Sequence, residues 1–152
     1  LSTSHTRKGY ALLHKVFSRL PADRYQLWVV GDQRPRSSPT LPNVRFVGFS
    51  QQTERWLTAA DALVHPALYE PFGPVVSEAL ACGTPVMIST FTGAKELIGP
   101  SDGLVLPPNE PQKWEEALRR FSPQSFQPSQ DFVERHHLSV SDHVEKLLSH
   151  WE

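Results

Sequence analysis

The sequence predicts an α/β domain: a mostly parallel sheet of about five or six strands with helices on both faces. Three observations predict it. Short apolar runs over 25–31, 44–48, 62–65, 85–89 and 103–106 alternate with segments of helical periodicity. The connections between them are short and punctuated by proline. The run 25–31, short, β-branched and aromatic, reads as a buried strand of such a sheet.

Each element has its own local reason. Leu12, Leu13, Val16, Phe17 and Leu20 share one helical face and predict a helix from Tyr10 to Leu20, ended by Pro21. The run 25–31 is aromatic and β-branched and closes on Gly31. Residues 32–43 are polar, hold three prolines and read as a loop before the strand 44–48. Residues 53–60 read as a short helix with Trp56, Leu57 and Ala60 on one side. The strand 62–65 stops at Pro66. A helix over 75–82 follows Gly73 and Pro74, and Gly83 stands where a helix-terminating glycine belongs. After the strand 85–89, residues 94–98 suit a brief helix, and 103–106 a last strand. Trp114, Ala117, Leu118 and Phe121 align on a helix over 111–121. Residues 122–130 read as a linker. One or two terminal helices follow, with Val140, Val144, Leu147 and Leu148 as their apolar face.

Composition excludes several classes. A formal charge of −1 excludes a strongly basic nucleic-acid binder. The single cysteine, Cys82, excludes an internal disulfide and any cysteine-built metal site within one chain; it fits a reducing compartment and a small buried residue. No apolar run reaches the ~18–20 residues of a membrane span. The first residue is Leu1 and no signal-peptide pattern follows, so the expectation is a piece of a longer cytoplasmic protein.

The carboxyl ends of the strands are where ligands of such sheets bind. After the strand 62–65, the chain runs through Glu70, Phe72, Gly73 and Pro74 into the helix that carries Glu78. The first amides of a helix have no intrahelical acceptor and carry a partial positive charge, which suits an anion. Gly73 allows close backbone approach. Pro74 has no N–H, so the expected donors are the amides of Phe72, Gly73, Val75 and Val76. Glu70 and Glu78 would flank a diphosphate there and accept sugar hydroxyls. Taken alone, two acids eight residues apart are more often a loop residue and a solvated helix residue.

The run E-P-F-G-P-V-V-S-E-A-L-A-C-G-T-P-V over 70–86 changes that balance. It resembles the signature of the family-4 retaining GT-B glycosyltransferases. Further matches follow in the family's order over about residues 5–121: Arg7, Lys8 and Gly9 opening a helix, the V-V-G end at 29–31, V-R-F-V-G-F at 44–49, and A-A-D-A-L-V-H-P-A at 59–67. Arg7–Gly9 with His65–Ala67 is also similar to the lipopolysaccharide-core glucosyltransferases of that family. The resemblance implies a Rossmann-like three-layer domain, residues 1–152, that is the C-terminal donor-binding half, with an N-terminal acceptor domain elsewhere. It implies transfer of a hexose from a nucleotide-diphosphate sugar, a uridine-diphosphate sugar first, to an acceptor hydroxyl of a glycan or glycolipid, at the inner face of a membrane in the parent enzyme. It implies no metal or other cofactor. Glu70 would bind the donor sugar and Lys8 would neutralise the diphosphate, together forming the catalytic pair. Glu78 would grip the ribose, and Phe72, Gly73, Pro74, Val75 and Val76 would form the diphosphate tip. The base would lie near Val47 to Phe49, and Gly31, at the V-x-G strand end, would bind donor by allowing its close approach. One departure is local: the family's arginine about six residues before the lysine falls near Ser2, with Arg7 as the nearby substitute.

Two other functions fit the same architecture: a non-catalytic nucleotide-sugar binding module and a nucleotide-sugar epimerase. Minor candidates weigh less. His65 reads more readily as a satisfied core or rim histidine than as a ligand contact. Lys95 and Glu96 read as solvated, and His136, His137 and His143 as surface residues without metal-ligand spacing.

Overall fold

The computed structural model describes residues 3–31, 33–35, 38–129, 131–139, 141, 142 and 149. In chain order the elements are α1 (Thr3–Arg7), α2 (Tyr10–Phe17), β1 (Leu27–Val30), β2 (Val44–Gly48), α3 (Thr53–Ala59), β3 (Leu63–His65), α4 (Pro74–Ala81), β4 (Val86–Ser89), β5 (Gly103–Leu106), α5 (Pro111–Arg120) and α6 (Phe132–Arg135). Short 3-10 turns occupy Gly93–Leu97 and Pro123–Ser125. The expected apolar face of Val140, Val144, Leu147 and Leu148 lies outside the described residues, as does His143.

Every strand pairing is parallel, but the strands form two ladders in place of the single sheet expected. β1 pairs with β2, Leu27 opposite Val44, and β3–β4–β5 form the second, Leu63 opposite Val86 and Val86 opposite Gly103. Among the described residues, side chains and not backbone bonds join the ladders. Leu27 of β1, Val44 of β2 and Met87 of β4 share one core with Tyr10, Leu13, Val16 and Phe17 of α2 and with Trp114 and Leu118 of α5. Val86 and Ile88, the alternate residues of β4, pack on the other side with Leu57 of α3, Val76, Ala79 and Leu80 of α4, and Phe132. β4 is thus buried on both faces, and the domain has three layers.

α2 ends three residues before the expected stop, and the cause is chemical. The carbonyl of Phe17 would take its helical bond from residue 21, which is Pro21 and has no N–H. The buried Asn43 side chain supplies that donor, its Nδ2 lying 3.0 Å from the Phe17 oxygen. The expected helix face at 53–60 is also narrower than read: Leu57 is buried, Trp56 half-buried and Ala60 exposed. Of the expected linker 122–130, the described residues 122–129 are docked. Phe126 stacks on Phe121 at 5.4 Å and the Gln127 amide donates to the Ser101 carbonyl at 2.9 Å.

Removing the Asn43 side chain leaves the Phe17 carbonyl without its donor. Asn43→Ala is expected to cost roughly 1–3 kcal/mol in urea unfolding. A loss within error of zero would show that this bond does not hold the end of α2.

Candidate nucleotide-sugar site

Three loops converge beyond β3 and β4, and glycine makes their approach feasible. A Cβ on Gly9, which has φ +74°, would stand 1.9 Å from the carbonyl oxygen of Pro66. The Leu68 amide donates to the Arg7 carbonyl at 2.7 Å, so Arg7–Gly9 lies against Pro66–Leu68. A Cβ on Gly93 would stand 1.8 Å from the Pro71 oxygen. Glu70 and Thr92 form a parallel bridge, with Glu70 N to Phe91 O at 3.2 Å and Gly93 N to Glu70 O at 2.9 Å. Ser89 Oγ, fully buried, donates to the Ala67 carbonyl at 2.5 Å.

These contacts set Glu70 among basic groups. Its Oε2 lies 3.6 Å from Arg7 Nη1 and 3.8 Å from His65 Nε2, and its side chain is 13% exposed. Burial, then the charge of Lys8, lowers the His65 pKa to about 4, Glu70 opposing and Arg7 adding to the shift. His65 is therefore uncharged at neutral pH, and the positive charge facing Glu70 comes from Arg7. Lys8 is exposed beside this group.

The tip of α4 adjoins Glu70. Gly73 precedes the helix at φ 89°, and a Cβ there would meet Thr92 Cγ2 at 3.0 Å and Glu70 Cγ at 3.3 Å. No side chain caps the helix, and Pro74 occupies its first turn. Of the four amides expected as donors, that of Val76 already bonds to the Gly73 carbonyl at 2.9 Å. Val76 thus contributes a buried side chain and not an open donor. The amides of Phe72, Gly73 and Val75 have no acceptor among the described residues. Glu78 is exposed one turn beyond Pro74 on the same helical face.

Gly31, Val47 and Phe49 lie together at the carboxyl ends of β1 and β2. The Gly31 amide donates to the Gly48 carbonyl at 2.7 Å, and both glycines have positive φ with open space where a side chain would stand. Val47 is half-buried and Phe49 is 80% exposed, a large unpaid apolar surface beside that space. Sequence reasoning missed the pairing of Arg7 with Glu70; His65 is buried, as a core or rim histidine would be, but its Nε2 has no hydrogen-bond partner among the described residues. The signal available was R-K-G opening a helix and H-P ending a strand, two segments that the fold brings together. Lys95 turns its Nζ onto the Thr90 carbonyl at 2.8 Å. Cys82 is half-buried. Among the described residues no cluster of His, Cys, Asp or Glu is placed to hold a metal ion, and no helix is long and apolar enough to cross a membrane. A separate cleft of about 1180 Å³ runs along α2, between the loops after β1 and β5, and includes Gly9 and Leu68 on its wall.

A three-layer parallel α/β domain of this kind is Rossmann-like, and sheets of this class take their ligands beyond the carboxyl ends of the strands. Residues 1–122 match the family Glycosyl transferases group 1, and the chain belongs to that family of enzymes. It is 33% identical over 155 residues to a probable transglycosylase of Burkholderia thailandensis, covering 97% of this chain and 42% of that protein. Among solved structures it is similar to WaaG, a glycosyltransferase involved in lipopolysaccharide biosynthesis, at 28% identity and TM-score 0.70, covering 86% of this chain and 38% of that one. It also shares the fold of Anabaena HepE, solved with UDP-glucose, at 22% identity and TM-score 0.77, covering 95% of this chain and 46% of that one. The chain thus spans less than half the length of these proteins.

The His65 shift has a sign that can be measured. Its pKa is 6.5 in the unfolded reference and about 4 in the fold, so the unfolded chain binds the proton more readily between those values. Stability from this residue is complete above pH 6.5 and falls as pH drops toward 4, by roughly 3 kcal/mol in all. The wild-type advantage over His65→Gln in unfolding free energy should shrink by about that much between pH 7 and pH 4. A difference constant across the range would contradict a neutral, buried His65.

Proposed function

We propose that this chain is the donor-binding half of a retaining glycosyltransferase that takes a hexose from a nucleotide-diphosphate sugar, with a uridine-diphosphate sugar as the first candidate. The observation that carries this reading is the α4 tip: unengaged amides at Phe72, Gly73 and Val75, next to an acid whose other neighbours are Arg7 and His65. The amides and the helix dipole would hold the diphosphate. Lys8 would neutralise charge that develops as the sugar leaves, a role usually worth about 10²–10³ in rate. Glu70 would accept a hydroxyl of the sugar and Glu78 those of the ribose. The open ends of β1 and β2 at Gly31, Val47 and Phe49 would receive the base. The acceptor hydroxyl would attack from the face the leaving group vacates, and a second domain of the parent protein would supply its site. The UDP-glucose bound by HepE and the lipopolysaccharide role of WaaG support a sugar nucleotide and a glycan or glycolipid acceptor. On this reading the chain binds donor and does not by itself transfer.

Calorimetric titration with uridine diphosphate, UDP-glucose and the guanosine and adenosine counterparts should give saturable binding to at least one pair. Silence with all of them at millimolar ligand would overturn the proposal. Glu78→Ala is expected to weaken the nucleoside diphosphate and its sugar conjugate alike, by about tenfold or more for a lost charged hydrogen bond. Glu70→Ala should weaken the sugar conjugate alone. Equal losses from both variants on both ligands would undo the two assignments.

A further inference from the structure

His65 carries a polar atom that the fold leaves unexplained. The residue is 6% exposed, and its Nε2 is buried with no hydrogen-bond partner among the described residues. Such an atom costs about 1–3 kcal/mol if it stays unmet, and native structures hold few of them. An acceptor stands in front of it: Glu70 Oε2, at 3.8 Å. That distance is too long for a hydrogen bond, but bonds of this kind are often long in an empty site and tighten when ligand arrives. The same Oε2 faces Arg7 Nη1 at 3.6 Å, which leaves Oε1 without a partner among the described residues.

We propose that His65 is a positioning residue: its Nε2–H and the Arg7 guanidinium hold one oxygen of Glu70, so that the other, Oε1, is presented to a hydroxyl of the bound sugar. The inference rests on the donor-site reading above for what Oε1 receives, but the facing of His65 Nε2 and Glu70 Oε2 at 3.8 Å is present in the ligand-free chain. Pro66 and Ala67, both buried directly after His65, fix the backbone from which the imidazole projects. Arg7, Lys8 and Glu70 are the charged groups that act on the ring. The ring must be neutral and carry its proton on Nε2, since the other tautomer would aim a lone pair at a carboxylate.

Two measurements decide it. Nitrogen-15 NMR of the ligand-free chain should show His65 as the Nε2–H tautomer at pH 7, with an Nε2 shift that moves in Glu70→Gln. The Nδ1–H tautomer, or an Nε2 signal indifferent to Glu70→Gln, overturns the proposal. The second compares uridine diphosphate with UDP-glucose. His65→Leu should lose about tenfold of the affinity that the sugar adds while leaving uridine diphosphate unchanged, and His65→Gln, which keeps an amide donor, should restore most of it. Equal weakening of both ligands in His65→Leu and no rescue in His65→Gln would mark a packing residue and overturn the proposal. If the wild-type chain binds neither ligand, the donor-site reading falls, and the tautomer measurement still decides whether His65 turns an N–H toward Glu70.

Discussion

The carboxyl-end face of this domain depends on backbone packed directly on backbone. At Gly9 and Gly93 a single added carbon would overlap a carbonyl oxygen, of Pro66 and Pro71 respectively. Gly103 imposes the same constraint inside the sheet, where a Cβ would stand 1.9 Å from the Val86 oxygen. No rotamer change relieves a clash with a main-chain carbonyl, so any other residue at these places must push two loops apart. Glu70 lies between the first two contacts in the chain's path. Its carboxylate reaches Arg7 and His65 because Gly9 lets the segment Arg7–Gly9 seat on Pro66.

That packing also explains the electrostatic character of the site. A half-exposed guanidinium and a buried neutral imidazole share one carboxylate oxygen. Exposed ion pairs contribute little to stability, so the value of Arg7 here is in orientation and charge balance more than in holding the fold. The uncapped start of α4 follows the same pattern. A serine or aspartate before Pro74 would have satisfied the first amides. Gly73 at positive φ leaves those of Gly73 and Val75 open and brings the helix tip against the Glu70 stem.

Much of this was legible in the sequence, because its signals are local. The strands 44–48 and 103–106 and the Gly73-to-Gly83 frame of α4 follow from apolar runs and from glycine and proline chemistry, and the order of elements fixes the α/β class. The resemblance of 70–86 to a glycosyltransferase signature pointed to the family that the match over residues 1–122 then established. What escaped was non-local. That Pro21 would be answered by the Asn43 amide, 26 residues from Phe17, has no trace in periodicity. Division of the strands into two ladders depends on which edges meet, which strand composition does not encode. The Val76 amide was spent on a turn bond that residue spacing cannot distinguish from an open donor. Arg7 meets Glu70 across a sequence gap that is closed by the seating of Gly9 on Pro66 and by the Leu68 amide on the Arg7 carbonyl.

The central claim is that an anion-binding helix tip and a clamped carboxylate form one site. A crystal structure of this chain with uridine diphosphate tests it most directly. The account predicts phosphate oxygens about 3 Å from the amide nitrogens of Gly73 and Val75, with the base over Gly31 and Gly48. A diphosphate seated in the cleft along α2, with the amides of Gly73 and Val75 still without an acceptor, would contradict it.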